Sequence, residues 1–312
     1  MAAEDRGQGA LRPLFAEVLD AARTAGAVIS TLFPTAPRIH RGSGYELISD
    51  YATVAVPSWV LGGLPRPAAG ATRRAEVADV QPIRAVYDAW AAAQNGPLSR
   101  RGVSFPATAE EYLGDFTGMS VALDEAGAVC GFASWDRGRG YGGEAVLEVS
   151  DLLALTADGY RSLLATVGSF ASVVGTVKID TSGDDVARLF LPSAHWKVVA
   201  SDPSMLRLLN VAGALAERDY PPGVYAQLGF RLAGDFLAEE NGSYLLQVAD
   251  GASVCRRDSV AAGERTLSPG GLALVYAGVQ SCANLPLRRP PGRRRPGPGP
   301  GLGRPVHIRD YF

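Results

Sequence analysis

The sharpest chemical signal in the sequence is a short run near its start, Arg6-Gly7-Gln8-Gly9-Ala10-Leu11-Arg12. Two glycines let backbone N–H groups approach an anion closely. An amphipathic segment follows at once, so the run opens a helix whose positive dipole end faces the same point. Arg6 and Arg12 could pair with a phosphate there. An ordinary turn opening a helix would use the same glycines, so the pattern alone leaves both readings open. Other nucleophile and metal motifs are missing. No Gly-x-Ser-x-Gly, His-Glu-x-x-His or Gly-x4-Gly-Lys-Ser/Thr occurs, which leaves hydrolase, zincin and P-loop chemistry without motif support. The three cysteines, Cys130, Cys255 and Cys282, include no CxxC pair, so neither a disulfide framework nor a zinc site is expected, and the metal set is empty. His195 and His307 have no carboxylate or cysteine at ligand spacing and read as structural.

The elements that must position such a site follow from hydrophobic spacing. Leu11, Leu14, Phe15, Val18, Leu19 and Ala22 fall on one helical face. Gly26 suits the helix stop, and Ala27 to Phe33 reads as a buried strand closed by Pro34. A loop with a short helical turn covers Thr35 to Gly44, and Tyr45 to Val56 reads as another strand or a strand pair. Pro57 to Arg74 is rich in Gly and Pro and reads as a linker. Beyond it, Ala75 to Ala93 reads as a helix with Val80, Ile83, Val86, Tyr87 and Trp90 on one face. Ser120 to Leu123 and Ala128 to Trp135 form a hairpin around Glu125-Ala126-Gly127. A strand over Ala145 to Leu155, a helix over Ala157 to Phe170 and a strand over Val173 to Ile179 complete an α/β pattern. Pro203 to Glu217 reads as an amphipathic helix. Val224 to Leu232 and Ser243 to Ala249 read as antiparallel strands, the second entered through the turn signal Asn241-Gly242. Ser268-Pro269 opens a short helix running to about Gln280.

Composition bounds the rest. The chain has 312 residues, 47% apolar and 20% charged, which is enough for two or three globular domains. Thirty basic and 32 acidic residues leave a net charge of −2, so no basic field points to nucleic acid. No apolar run is long enough to span a membrane, and the first residues lack a secretory apolar core, so the cytoplasm is the expected location. Residues 286–305 hold seven Pro, five Gly and six Arg. Such a tract cannot bury a face and is expected to be disordered or loosely extended.

The Arg6–Arg12 loop resembles the acyl-CoA pyrophosphate loop of GNAT-family N-acetyltransferases. Further stretches sharpen the match: Leu14-Phe-Ala-Glu-Val-Leu-Asp-Ala-Ala-Arg23, Val28-Ile-Ser-Thr-Leu-Phe-Pro34, Gly44-Tyr45-Glu-Leu, Val149-Ser-Asp-Leu-Leu-Ala-Leu-Thr-Ala-Asp158-Gly-Tyr-Arg161, and the terminal His307-Ile-Arg-Asp-Tyr-Phe312. Together they resemble the enhanced-intracellular-survival (Eis) type acetyltransferases along nearly the whole chain. The resemblance implies an α/β and α+β architecture. Residues 1–56 would be the C-terminal half of a catalytic GNAT (acyl-CoA N-acyltransferase) domain, and 57–74 a linker. Residues 75–200 would be a degenerate GNAT-like domain without a CoA site. Residues 201–312 would be a sterol-carrier-protein-like α+β domain containing the 286–305 tract.

The implied activity is acetyl-CoA-dependent N-acetylation of a small cationic amine or a protein lysine, by a homo-oligomer, with no nucleic acid or membrane partner. Acetyl-CoA is the co-substrate. Arg6, Gly7, Gln8, Gly9, Ala10, Leu11 and Arg12 would hold its pyrophosphate, with His40 and Arg41 as further contacts. By position alone His40 reads as a loop surface histidine. The resemblance makes Tyr45 the general acid for the leaving thiolate and the α-carboxylate of Phe312 the base. On residues alone Tyr45 reads as a strand-start tyrosine with its hydroxyl at the surface. The family also carries strands and helices ahead of its CoA loop, so a preceding half-domain is expected before Met1, and the chain as given is expected to bind acetyl-CoA poorly. The alternative expectation is a catalytically inactive fragment, serving as a sterol-carrier-like ligand-binding or scaffold protein.

Overall fold

The structure, a computed structural model, describes residues 9–65, 67, 70–138, 140–182, 185–258 and 265–280. In chain order its elements are α1 (Leu11–Thr24), β1 (Ile29–Leu32), α2 (Pro37–Gly42), β2 (Glu46–Pro57), α3 (Ser58–Gly62) and β3 (Ala71–Arg74). Then come α4 (Val80–Ala92), α5 (Ala109–Gly114), β4 (Gly118–Leu123), β5 (Val129–Arg137), β6 (Gly142–Ala154), α6 (Ala157–Gly168) and β7 (Val174–Ser182). The last are β8 (Lys197–Leu208), α7 (Val211–Glu217), β9 (Tyr225–Leu232), β10 (Gly242–Ala249), β11 (Ala252–Arg257), β12 (Thr266–Leu267) and α8 (Pro269–Tyr276). The described residues divide into two compact units. One comprises 9–49 and 203–280, the other 50–202.

In the 50–202 unit the strand order is β2-β7-β6-β5-β4-β3. All pairs are antiparallel except β6 with β7, which is parallel. The β6–β7 pairing stops at Val149 opposite Ile179, while β6 runs on to Ala154. Helices cover both faces, because the strands are apolar on both. Ile83, Val86 and Tyr87 of α4 pack with Met119, Val121 and Phe132. Val60 and Leu61 of α3 and Leu163, Leu164 and Val167 of α6 pack with Val54, Leu147 and Val177. Gly168 is needed where α6 meets α3, since a Cβ there would stand 2.5 Å from the Leu61 carbonyl.

In the other unit β1 pairs antiparallel with the end of β8, Ile29 opposite Leu208 and Leu32 opposite Met205. Phe15, Leu19 and Ala22 of α1 pack with Tyr45, Met205, Leu209 and Leu237. A second sheet has the order β11-β10-β9-β12. Its β10–β11 hairpin turns on Asp250 and Gly251, with φ of 49° and 86°, the pair of positive φ angles that suits a tight two-residue turn. Ser268 caps α8 by accepting the Gly271 N–H at 3.1 Å.

Four expectations need correction. Residues 203–208 are strand rather than helix, and only Val211–Glu217 is helical. Met205, Leu206, Arg207 and Leu208 are buried on both faces of β8, so the apolar run carries no strand alternation. Asn210, whose side chain accepts from the Gly213 N–H, starts the helix later. The 57–74 stretch is not plain linker: it contains α3, whose Leu61 is fully buried, and β3 on the sheet edge. On α1, Leu14 and Val18 are exposed, at 57% and 58%, so the buried stripe is narrower than the apolar one. Asn241-Gly242 is not the turn of a tight hairpin. It ends the long loop between β9 and β10, and Asn241 Oδ1 accepts the Asp235 N–H.

Candidate active site

Tyr45 stands where the chain leaves α2 and turns into β2. The turn is made by Ser43 and Gly44. Gly44 has φ +89°, and a Cβ there would lie 3.1 Å from Pro269 Cβ and 3.4 Å from Arg207 Nη1, so only glycine fits. The Tyr45 N–H then donates to the His40 carbonyl. These constraints turn the ring inward. Tyr45 is 3% exposed, and its hydroxyl lies 2.6 Å from Ser30 Oγ on β1, where either oxygen can be the donor. The expected surface hydroxyl is therefore buried. Burial raises the phenol above the ordinary tyrosine value, with Ser30 and Arg207 pulling the other way. The phenol keeps its proton across the neutral range and can give it up only to a strong acceptor.

Arg207 is the residue that sequence reasoning missed. It is 1% exposed, an arginine in the middle of the apolar β8 run. Its guanidinium donates to Asp235 Oδ1 at 2.8 Å, to the Leu208 carbonyl at 3.2 Å and to the Ser43 carbonyl. It lies 6.0 Å from the centre of the Tyr45 ring. The arginine thus holds the turn that aims Tyr45. Asp235 is also deeply buried. Burial raises its carboxyl above the usual range, against the pull of Arg207 and of the Leu237 N–H. A lone arginine among Met205, Leu206, Leu208 and Leu209 was the available sequence signal.

His40 and Arg41 sit on α2. His40 is half-buried rather than at a loop surface, with ring centres 5.6 Å from Phe15 and 5.9 Å from Tyr45. Burial lowers its imidazole below the ordinary value. Its buried Nδ1 has no hydrogen-bond partner among the described residues. Arg41 donates from Nε to Glu46 Oε1 at 2.8 Å.

The expected anion site is partly described. Arg6, Gly7 and Gln8 lie outside the described residues, as do Phe312 and the 286–305 tract. Gly9 has φ +80° with nothing within 4 Å of where a Cβ would be, so a ligand can approach its backbone. Ala10 caps α1 without a side-chain hydrogen bond, and the first turn holds no acid. In that turn the Arg12 N–H donates to the Gly9 carbonyl at 3.4 Å and Pro13 has no N–H, which leaves the Leu11 N–H without an intrahelical acceptor. Arg12 lies 5.0 Å from the centre of the Phe236 ring. A helix start with no acid and no side-chain cap does not repel an anion. The helix after β6 is built the other way. Thr156 caps α6 by accepting the Gly159 N–H, and Asp158 puts a negative charge in the first turn. That end of α6 has one N–H capped and a carboxylate beside it, which disfavours an anion. Among the described residues no three His, Cys, Asp or Glu side chains are placed to hold a metal, and no helix is long and apolar enough to cross a membrane.

Residues 97–208 match the family model described as an acetyltransferase (GNAT) domain, and residues 211–287 match the model for a sterol carrier protein domain. The chain carries a GNAT-fold domain followed by a sterol-carrier-type domain. No curated protein matches the sequence. Among solved structures, a GCN5-related N-acetyltransferase from Kribbella flavida is 27% identical, with a TM-score of 0.78 over 100% of this chain and 77% of that one. A GCN5-related N-acetyltransferase from Anabaena variabilis is 24% identical, with a TM-score of 0.80 over 92% of this chain and 72% of that one. Eis1 from Mycobacterium abscessus is 19% identical, with a TM-score of 0.68 over 92% and 73%. The last two share the fold.

Proposed function

We propose that this protein is an Eis-type N-acetyltransferase that moves an acetyl group from acetyl-CoA to the amine of a small cation or a protein lysine. The observation that carries this reading is the buried Tyr45 phenol at the Ser43–Gly44 turn, in a chain that also holds a GNAT-type domain. The amine nitrogen attacks the thioester carbonyl, a C–N bond forms and the C–S bond breaks. The Tyr45 hydroxyl gives its proton to the leaving thiolate. The ammonium proton passes through water to the terminal carboxylate of Phe312, whose ordinary pKa is about 3.3–3.7. The backbone from Arg6 to Arg12 cradles the pyrophosphate, with His40 and Arg41 beside it.

The test is thiol release from acetyl-CoA by the protein, with spermidine or a lysine peptide as acceptor. Release that depends on the amine and is matched by acetylated product is expected. Tight acetyl-CoA binding with no amine-dependent release for any acceptor offered would overturn the reading. A finer prediction concerns the base. One glycine added after Phe312 moves the carboxylate by about 3.3–3.6 Å and removes no side chain. Activity should fall by about 10²-fold or more. Unchanged kcat/KM across the pH range would remove Phe312 from the mechanism.

A further inference from the structure

The 50–202 unit contains a cleft of about 530 Å³ that the proposed reaction does not use. It lies between α4 and the loop leading to α5, and its size falls in the range of small-molecule sites. Three arginines line it, Arg84, Arg100 and Arg101, with the aromatic rings of Tyr87, Phe105 and Tyr112. Their charges are not equally compensated. Arg100 forms two parallel hydrogen bonds to Asp151, at 2.7 and 2.9 Å, and stacks 4.0 Å from the centre of the Tyr87 ring. Its φ of +48° is a left-handed conformation that side chains rarely adopt. The pair therefore fixes Arg100 as wall. Arg101 at the rim pairs with Asp88. Arg84 differs. It donates to the neutral Pro106 carbonyl at 3.3 Å, lies 5.7 Å from the Tyr112 ring centre, and has no carboxylate partner among the described residues.

We propose that this cleft binds a small molecule carrying one negative charge on a flat, unsaturated body, an aromatic carboxylate being the simplest case. Among the described residues that line the cleft, Arg84 is the one arginine without a carboxylate partner, and a guanidinium fits a carboxylate through two parallel hydrogen bonds. Tyr112 and Phe105 supply ring faces against which a flat body stacks. The Tyr112 hydroxyl, pushed up to about 12 mainly by burial, stays a neutral phenol and adds no repelling charge. A dianion would need a second free cation, which the Asp151 and Asp88 pairs withhold.

The probe is 2-naphthoate, whose binding to the whole protein is followed by its fluorescence, with 2-naphthamide as the uncharged twin. Naphthoate should bind at least about tenfold tighter than the amide. Arg84→Met should weaken naphthoate by about ten- to hundredfold and leave the amide little changed, with an unaltered melting temperature. Arg84→Lys should restore most of the affinity. Ala85→Trp, at an exposed position on the same wall, fills the cleft without touching the arginine and should abolish binding of both probes. No naphthoate binding, equal affinity for the two probes, indifference to Arg84→Met, equal loss in the Lys and Met variants, or full binding by Ala85→Trp would each overturn the proposal.

Discussion

Tyr45→Phe should lower kcat for acetyl transfer by about 10²–10⁴-fold, the usual worth of a positioned general acid, with acetyl-CoA affinity nearly unchanged. The substitution keeps the ring among Leu19, Met205 and Leu237 and removes only the hydroxyl. The folded protein should survive it. Losing the 2.6 Å contact to Ser30 costs about 1 kcal/mol, because Ser30 is only half-buried and its hydroxyl can turn to water. A fall in kcat with an unchanged melting profile therefore reports chemistry. A fall in acetyl-CoA affinity with kcat intact would mean that Tyr45 only shapes the pocket. Steady-state kinetics with one amine, alongside calorimetry with acetyl-CoA, separates the two.

The largest stability effect should come from the Arg207–Asp235 pair. Both side chains are almost wholly buried, at 1% and 2% exposure. Arg207→Met leaves the Asp235 carboxylate in the core without its cation, and Asp235→Asn leaves the guanidinium without its anion. Breaking one partner of such a pair typically costs about 3–5 kcal/mol. Removing both charges restores much of that, since an apolar replacement avoids the desolvation. Urea unfolding of the two single variants and of Arg207→Met with Asp235→Asn should show the double variant more stable than Arg207→Met alone. Strict additivity would show that the pair is not coupled. Both single variants should also lower kcat, because Arg207 holds the Ser43 carbonyl of the turn that aims Tyr45.

How much of this was legible in the sequence depended on geometry. Where one face of a helix is buried, spacing gave the element: α4 follows from Val80, Ile83, Val86 and Tyr87, all buried. Where a strand is buried on both faces, as β8 is from Ser204 to Leu208, periodicity vanishes and the run passes for a helix. Dense Gly and Pro between 57 and 74 masked α3 and β3, whose stability comes from packing and edge pairing rather than from local propensity. The tight hairpin turn falls at Asp250-Gly251 rather than at Asn241-Gly242. At the site, Tyr45 and His40 stood out only through the family resemblance. The contacts that tune Tyr45 join residues far apart in sequence: Ser30 is 15 positions away, and Arg207 and Asp235 are 28 apart. Local pattern cannot bring such groups together. The only trace of the network was one charged residue in an apolar run.

In the proposed reaction a buried, protonated Tyr45 gives its proton to the leaving thiolate. A general acid works only while it holds that proton, and burial raises the Tyr45 phenol above its ordinary value of about 10. Its contribution should therefore be fully present at neutral pH and lost only as the pH rises through that elevated value. The decisive measurement is the ratio of kcat for the unaltered protein to kcat for Tyr45→Phe, followed from about pH 6 to about pH 11. The ratio should be large, stay flat to about pH 10 and shrink above it. A ratio near one, or one that collapses between about pH 7 and 8, would contradict it.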